Sequence, residues 1–204
     1  MAKYVSVIEA LSQVKSGDYI VTGLGSAEGR EFMTNLHTIA DRVKGVLVSN
    51  CLPMGAYEFM VNPEYKESFT TEGWFYTPVL RKAHKNGNVS FIPNHLHLAA
   101  KKRIFYREPD IYVGIASMPD KHGYVSLSIS NTYEMQMIKK AKTVILEVNP
   151  YAPRTFGDVQ LHVDDVDYLV EVDYAIPEIA DAVPNEKDLI IGKLIADAME
   201  KVTN

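Results

Sequence analysis

The chain has 204 residues, enough for one large α/β domain and cramped for two. Its 47% hydrophobic and 23% charged residues, with a net charge of -5, exclude a disordered chain and give no reason to expect nucleic acid as a partner. One cysteine, Cys51, excludes an internal disulfide and a cysteine-based zinc site, and favours a reducing, cytoplasmic setting. Residues 1–18 lack a continuous apolar segment and a small-residue cleavage site, so they do not read as a signal peptide. No apolar run is long enough to span a bilayer, so no membrane association is expected.

Taken in chain order, Val5, Ile8, Leu11 and Val14 are spaced three apart and predict an amphipathic helix. Gly17-Asp18 stops it, and a short buried strand follows from Tyr19. Gly23, Gly25 and Gly29 then form a loop ahead of a helix through Phe32, Leu36, Ile39 and Val43, with a strand at Val46–Ser49 beyond. Strand, loop, helix and strand in that order predict a βαβ unit and parallel pairing. The pattern repeats with a strand at Gly73–Tyr76, a helix at Val79–Lys85 and a strand at Val89–Ile92 closed by Pro93. A helix at Leu96–Phe105 and a strand from Asp110 to Ala116 come next. Tyr124–Ile129 alternates hydroxyls with apolar residues, as a half-buried strand does. Thr132–Lys142 reads as helix, Thr143–Val148 as strand, and Val159–Val163 and Tyr168–Val172 as strand-like pieces. Leu189, Ile190, Leu194, Ile195, Ala198 and Val202 make Pro184–Val202 an amphipathic helix. No repeat or linker divides the chain, so residues 1–204 are expected to form one α/β domain, an open, largely parallel sheet with helices on both faces. Val89–Ile92, Ile111–Ala116 and Val144–Val148 lack polar alternation and should be central strands.

Four places can carry chemistry. The loop Gly23–Gly29 allows close backbone approach, and its N–H groups can hold an anionic oxygen. Its spacing is one residue longer than the dinucleotide fingerprint and no P-loop lysine follows, so a plain tight turn is an equal reading. Ser117–Ser130 follows a core strand, where ligand sites of open parallel sheets gather. There Asp120 and His122 can make an acid–base pair with Ser126 or Ser128 as nucleophile. The competing reading, a Pro-Asp turn capped by His-Gly with serines on an outer strand face, is favoured because spacing shows no base–orienter geometry. Asn149–Asp158 holds two prolines that fix a rigid path for presenting Asn149 and Arg154, or else a stiff loop whose arginine pairs with a carboxylate. Asn94, His95 and His97 also sit at a strand end; with no third ligand nearby they read as a cap or cleft lining, and no metal is expected.

Phe91-Ile-Pro93, Met118–Leu127 with its Pro-Asp-x-His-Gly-Tyr core, and Val148–Asp158 with its Asn-Pro…Pro-Arg-Thr pattern resemble the acetyl-CoA hydrolase/transferase family, which includes 4-hydroxybutyrate, butyrate and acetate CoA-transferases. Ser16–Asp18 and Ile191–Ala196 extend the resemblance nearly end to end. It implies the amino-terminal half, of NagB/RpiA-like fold, of an enzyme about twice this length. Such an enzyme moves CoA from an acyl-CoA to a short-chain carboxylic acid through a glutamyl-CoA thioester, a carboxylate acting as nucleophile. The family's catalytic glutamate lies in the carboxy-terminal domain and matches no glutamate here, so the chain by itself is expected to be inactive and to contribute no catalytic residue. The expected contributions to substrate binding come from Gly25, Ser26, Met54, Asn94, His95, Met118, Pro119, Tyr124, Ser126, Asn149 and Arg154. Coenzyme A is expected as substrate, with no permanently bound cofactor. The expected partners are acyl-CoA, a short-chain carboxylate, the absent carboxy-terminal domain or a separate subunit carrying it, and a second copy of the chain in a homodimer. Two other readings stay open: a non-catalytic subunit of a split CoA-transferase, and a stand-alone acyl-CoA thioesterase using Asp120, His122 and Ser126. The strand-end loops around Gly25, Asn94, Met118, Tyr124 and Asn149 should then line an open face, with Met54, Met118 and Tyr124 uncovered.

Overall fold

Eight strands form one sheet in the order β1-β10-β8-β6-β2-β3-β4-β5, and every neighbouring pair is parallel. The computed structural model describes residues 2–178 and 181–203. The strands are β1 (Lys3–Tyr4), β2 (Tyr19–Thr22), β3 (Val46–Asn50), β4 (Phe69–Gly73), β5 (Val89–Phe91), β6 (Ile111–Ser117), β8 (Thr143–Asn149) and β10 (Tyr168–Glu171). Two more, β7 (Tyr124–Ser126) and β9 (Gln160–His162), pair antiparallel as a separate ribbon. The helices are α1 (Val7–Leu11), α2 (Arg30–Asn35), α3 (Glu58–Val61), α4 (Pro78–Ala83), α5 (Ala99–Tyr106), α6 (Glu134–Ile138) and α7 (Glu186–Thr203).

Alternate residues of each central strand supply two apolar layers. Ile20, Val48, Phe69, Val113 and Ile145 face Leu11, Phe32, Met33, Phe59 and Leu80 of α1 to α4. Tyr19, Val21, Tyr112, Val144 and Leu146 face Ala99 and Ala100 of α5, Met137 and Ile138 of α6, and Val125 and Leu161 of the ribbon. With both faces covered, β6 is buried along its whole length and β8 along all but its first residue. The chain runs outward from β2 to β5, then crosses back to place β6 on the other side of β2. Reversing direction while keeping right-handed crossovers moves the helices to the opposite face. The switch point, between β2 and β6, is where such sheets open a crevice at their carboxyl ends.

Four sequence expectations are corrected. Val89–Ile92 is not central: β5 is the outermost strand, three residues long, and Phe91 is half exposed. The fourth strand precedes its expected place at Gly73–Tyr76, because Thr70-Thr71-Glu72 hid it among polar residues. The serines of Tyr124–Ile129 do not face outward; Ser126 and Ser128 are buried under the sheet edge, and the strand lies outside the main sheet. The first helix is shorter than expected, Val7–Leu11, so Val5 and Val14 lie outside it; within it Ala10 and Leu11 are buried while Ile8 is exposed, since a strict three-residue spacing falls behind the 3.6-residue turn. The terminal helix forms as expected, yet Leu189, Ile190, Leu194 and Ile195 are all more than half exposed; the side chain of Val202 lies outside those described.

Candidate functional site

The loop between β2 and α2 begins at the switch point, and three buried carboxylates hold it. Glu134 accepts hydrogen bonds from the Leu24 N–H (2.9 Å), the Tyr133 N–H (2.9 Å) and the Ser130 hydroxyl (2.8 Å). Glu28, within the loop, accepts from the Asn50 amide (2.8 Å), the Met54 N–H (3.1 Å) and, at short range, the Tyr57 hydroxyl. Glu147, at the end of β8, accepts from the N–H groups of Glu31 (3.1 Å) and Phe32 (2.7 Å) and from the Tyr174 hydroxyl (2.6 Å). Gly29 precedes α2 with no side chain to cap it, so the carboxylate of Glu147 takes that role from across the fold. A Cβ at Gly29 would lie 2.5 Å from Val113 Cγ1 and 3.1 Å from Glu147 Oε1, which is why only glycine lets β6, β8 and α2 approach so closely.

Burial raises the Glu28 carboxyl above the ordinary range, against the lowering effect of its hydrogen bonds. Burial likewise pushes Glu147 up to about 7 and the Cys51 thiol up to about 12. Of the N–H groups expected as a cradle in Gly23–Gly29, that of Leu24 meets Glu134, that of Gly23 the Val113 carbonyl, and those of Ala27 and Glu28 loop carbonyls; those of Glu31 and Phe32, in α2, meet Glu147.

Beside this loop lies a cleft of about 540 Å³. One side comes from Ser26, Glu28 and Arg30, another from Met54 to Glu58 after β3, and the far side from Tyr174, Ala175 and Pro177 after β10. Gly25, at a φ of 55°, turns the chain so that its α-carbon faces Leu52 and Met54. The cleft is thus mainly apolar with a few fixed polar groups, the usual make-up of a small-molecule site.

A second polar cluster sits under the loop after β6. Asp120 accepts from the N–H groups of Tyr124 and His122, both at 2.9 Å, and from Arg154 (2.8 Å), contacts that hold its carboxyl below the ordinary range. Arg154 also donates to the Tyr124 carbonyl at 3.1 Å. The Ser126 oxygen accepts from the N–H groups of Ser128 (3.1 Å) and Thr155 (3.2 Å). Thr155 gives its proton to the Ser128 carbonyl, so the 3.0 Å bond between the two hydroxyls carries the Ser126 proton. Among the described residues no hydrogen bond joins the His122 ring to Ser126 or Ser128, and this geometry is that of a capped turn.

Of the residues expected to bind substrate, the structure gathers Gly25, Ser26 and Met54 at the cleft. Asn149 is fully buried and holds the far side in place, its amide donating to the Tyr174 carbonyl at 2.9 Å. Ser126 is fully buried in the second cluster with Tyr124 and Arg154 nearby. Met118 and Pro119 open that loop, and Asn94 and His95 lie past the outer strand; none of these four lines the cleft. Met54, Met118 and Tyr124 are each about two-fifths exposed, at 43%, 41% and 42%. Sequence reading missed Glu28, Tyr57, Glu147 and Tyr174. The one local signal was Glu28 inside the glycine loop; Tyr57 meets Glu28, and Tyr174 meets Glu147, only through bonds between residues far apart in sequence.

The fold and cleft define a class: an open parallel α/β domain with a ligand cleft outside the carboxyl ends of its strands. Within it, the chain belongs to the acetyl-CoA hydrolase/transferase family, residues 1–180 matching that family's N-terminal domain. It is 30% identical to a succinyl-CoA:cyclohexane-1-carboxylate CoA transferase of Geobacter metallireducens over 97% of its own length and 45% of the relative's. It is 27% identical to a 4-hydroxybutyrate coenzyme A transferase of Clostridium kluyveri, over 97% of its length and 46% of the relative's. The crystal structure of RipA from Yersinia pestis superposes with a TM-score of 0.88 at 25% identity, covering 96% of this chain and 48% of RipA. The chain therefore spans about half the length of the relatives it matches.

Proposed function

We propose that this domain forms one wall of the active site of a CoA-transferase that moves CoA between an acyl-CoA and a short-chain carboxylic acid. The chemical step, formation of a glutamyl-CoA thioester, belongs to the other half of the enzyme, and residues 1–204 by themselves do not perform it. The observation that carries this reading is the cleft at the switch point, apolar at Met54 and closed by Tyr174, in a chain of this family. Gly25, Ser26 and Met54 face the acyl group, while Met118, Tyr124 and the residues around Asn94 are covered by the other half or by a second copy of the chain. Acetate, butyrate and 4-hydroxybutyrate are the acceptors the family relationship suggests. No helix among the described residues is long and apolar enough to cross a membrane. The single cysteine suits a reducing, cytoplasmic setting.

A panel of acetyl-, butyryl- and 4-hydroxybutyryl-CoA donors, assayed on the full-length protein with each free acid, tests the proposal. Transfer to at least one acid with ping-pong kinetics is expected. Thioester hydrolysis by residues 1–204 alone, lost in His122→Ala, would overturn it in favour of the thioesterase.

A further inference from the structure

The far side of the cleft is an irregular segment, residues 172–177, which is neither helix nor strand. It leaves β10 with the Val172 N–H bound to the Val148 carbonyl at 3.1 Å and then crosses the carboxyl ends of β6 and β8. Tyr174 and Ile176 pack against a small cluster of Ala27, Ile115 and Ala152. That is little apolar cover for a wall of a binding site, so polar bonds must fix it.

Those bonds converge on Tyr174. Its carbonyl accepts from the Asn149 amide at 2.9 Å, its hydroxyl donates to Glu147 Oε2 at 2.6 Å, and the same hydroxyl oxygen accepts from the Arg30 N–H at 3.3 Å. The Arg30 guanidinium lies 5.3 Å from the centre of the tyrosine ring. Glu147 is fully buried and also receives the Glu31 and Phe32 N–H groups, so one carboxylate ties together β8, the start of α2 and the segment after β10. The start of α2 continues from Ser26 and Glu28, which line the same cleft. Ring packing and the arginine contact would survive in phenylalanine; only the hydroxyl reaches Glu147.

We propose that Tyr174 is a positioning residue: its hydroxyl, bound to Glu147 and to the first N–H of α2, fixes the segment after β10 against the loop and helix start that line the cleft with it. This rests on the CoA-transfer reading for its effect on turnover, but not for the latch itself. A hydrogen bond lost from a buried pair loosens the attached segment by about tenfold.

The test is Tyr174→Phe in the full-length protein, followed by amide hydrogen exchange and by steady-state kinetics with a carboxylic acid acceptor. Exchange of the Val172 N–H, the amide of this segment bonded to β8, is expected to quicken by about tenfold while β6 and the rest of β8 stay protected. The KM for the acid should rise several-fold with kcat held within about twofold, the split expected when a binding wall moves and the chemistry does not. Wild-type exchange in the variant overturns the proposal, and so does faster exchange with an unchanged KM. If the wild-type protein transfers no CoA, the functional reading fails by itself. The exchange comparison then decides the latch alone, quickened exchange upholding it and unchanged exchange overturning it.

Discussion

Ser128 and Gly29 show how one backbone position can want opposite residues. Ser128 holds a φ of 63°, in the left-handed region, and its buried hydroxyl has no hydrogen-bond partner among the described residues. Its N–H and carbonyl are both bonded, to Ser126 and Thr155, so a glycine there would keep every contact that matters. Ser128→Gly is therefore expected to stabilise the protein by about 1 kcal/mol, measured by urea denaturation; removing the left-handed strain and the unpaired hydroxyl outweighs glycine's entropy. A loss of stability would mean that the hydroxyl has a role the hydrogen bonds do not show. Gly29 is the reverse case. Gly29→Ala places a methyl against Val113 and pushes on Glu147, and should cost about 2 kcal/mol in the same experiment. A neutral result would show that α2 can move away from the sheet freely.

At the scale of elements, strand β8 matters for what it carries as well as for where it lies. Burial holds the Glu147 carboxyl at about 7, against an ordinary 4.5. Between those values the folded protein keeps a proton that the unfolded chain has already released. Stability is accordingly full below pH 4.5 and declines as pH rises through 7, by on the order of 3 kcal/mol from this group. Glu28, also raised by burial, acts in the same direction. Urea melts across that window should show the decline, and Glu147→Gln should flatten it; stability rising with pH between 5 and 7 would contradict the assignment of the buried charge.

The legible elements were those whose burial is simple. β6 and β8 are covered on both faces, so their sequences are unbroken apolar runs. β4 exposes alternate residues and so spells Phe-Thr-Thr-Glu-Gly, which reads as loop. β5 has an apolar sequence yet lies at the edge, because strand order is set by crossovers and not by local hydrophobicity. The site divided in the same way. Gly25, Ser26 and Met54 stand in loops that follow recognisable strands, whereas Tyr174 reaches Arg30 from 144 residues away and no local pattern announces it.

For the whole molecule, the central claim is a division of labour: this domain shapes the acyl side of a cleft, and the other half carries the nucleophile. Glu28 and Glu58 are the glutamates that line the cleft, and Glu28 is the buried one. Glu28 sits in the loop at the switch point. Its carboxyl oxygens are already engaged by Asn50, Met54 and Tyr57, which suits a structural post and leaves it poorly placed to attack a thioester. The most direct test is to incubate the full-length protein with an acyl-CoA, reduce the enzyme-bound thioester with borohydride, and locate the modified residue by peptide mass spectrometry. A single modified glutamate outside residues 1–204 is predicted, with Glu28 and every other glutamate of this domain untouched. Modification of Glu28, or of any glutamate within these 204 residues, would contradict it.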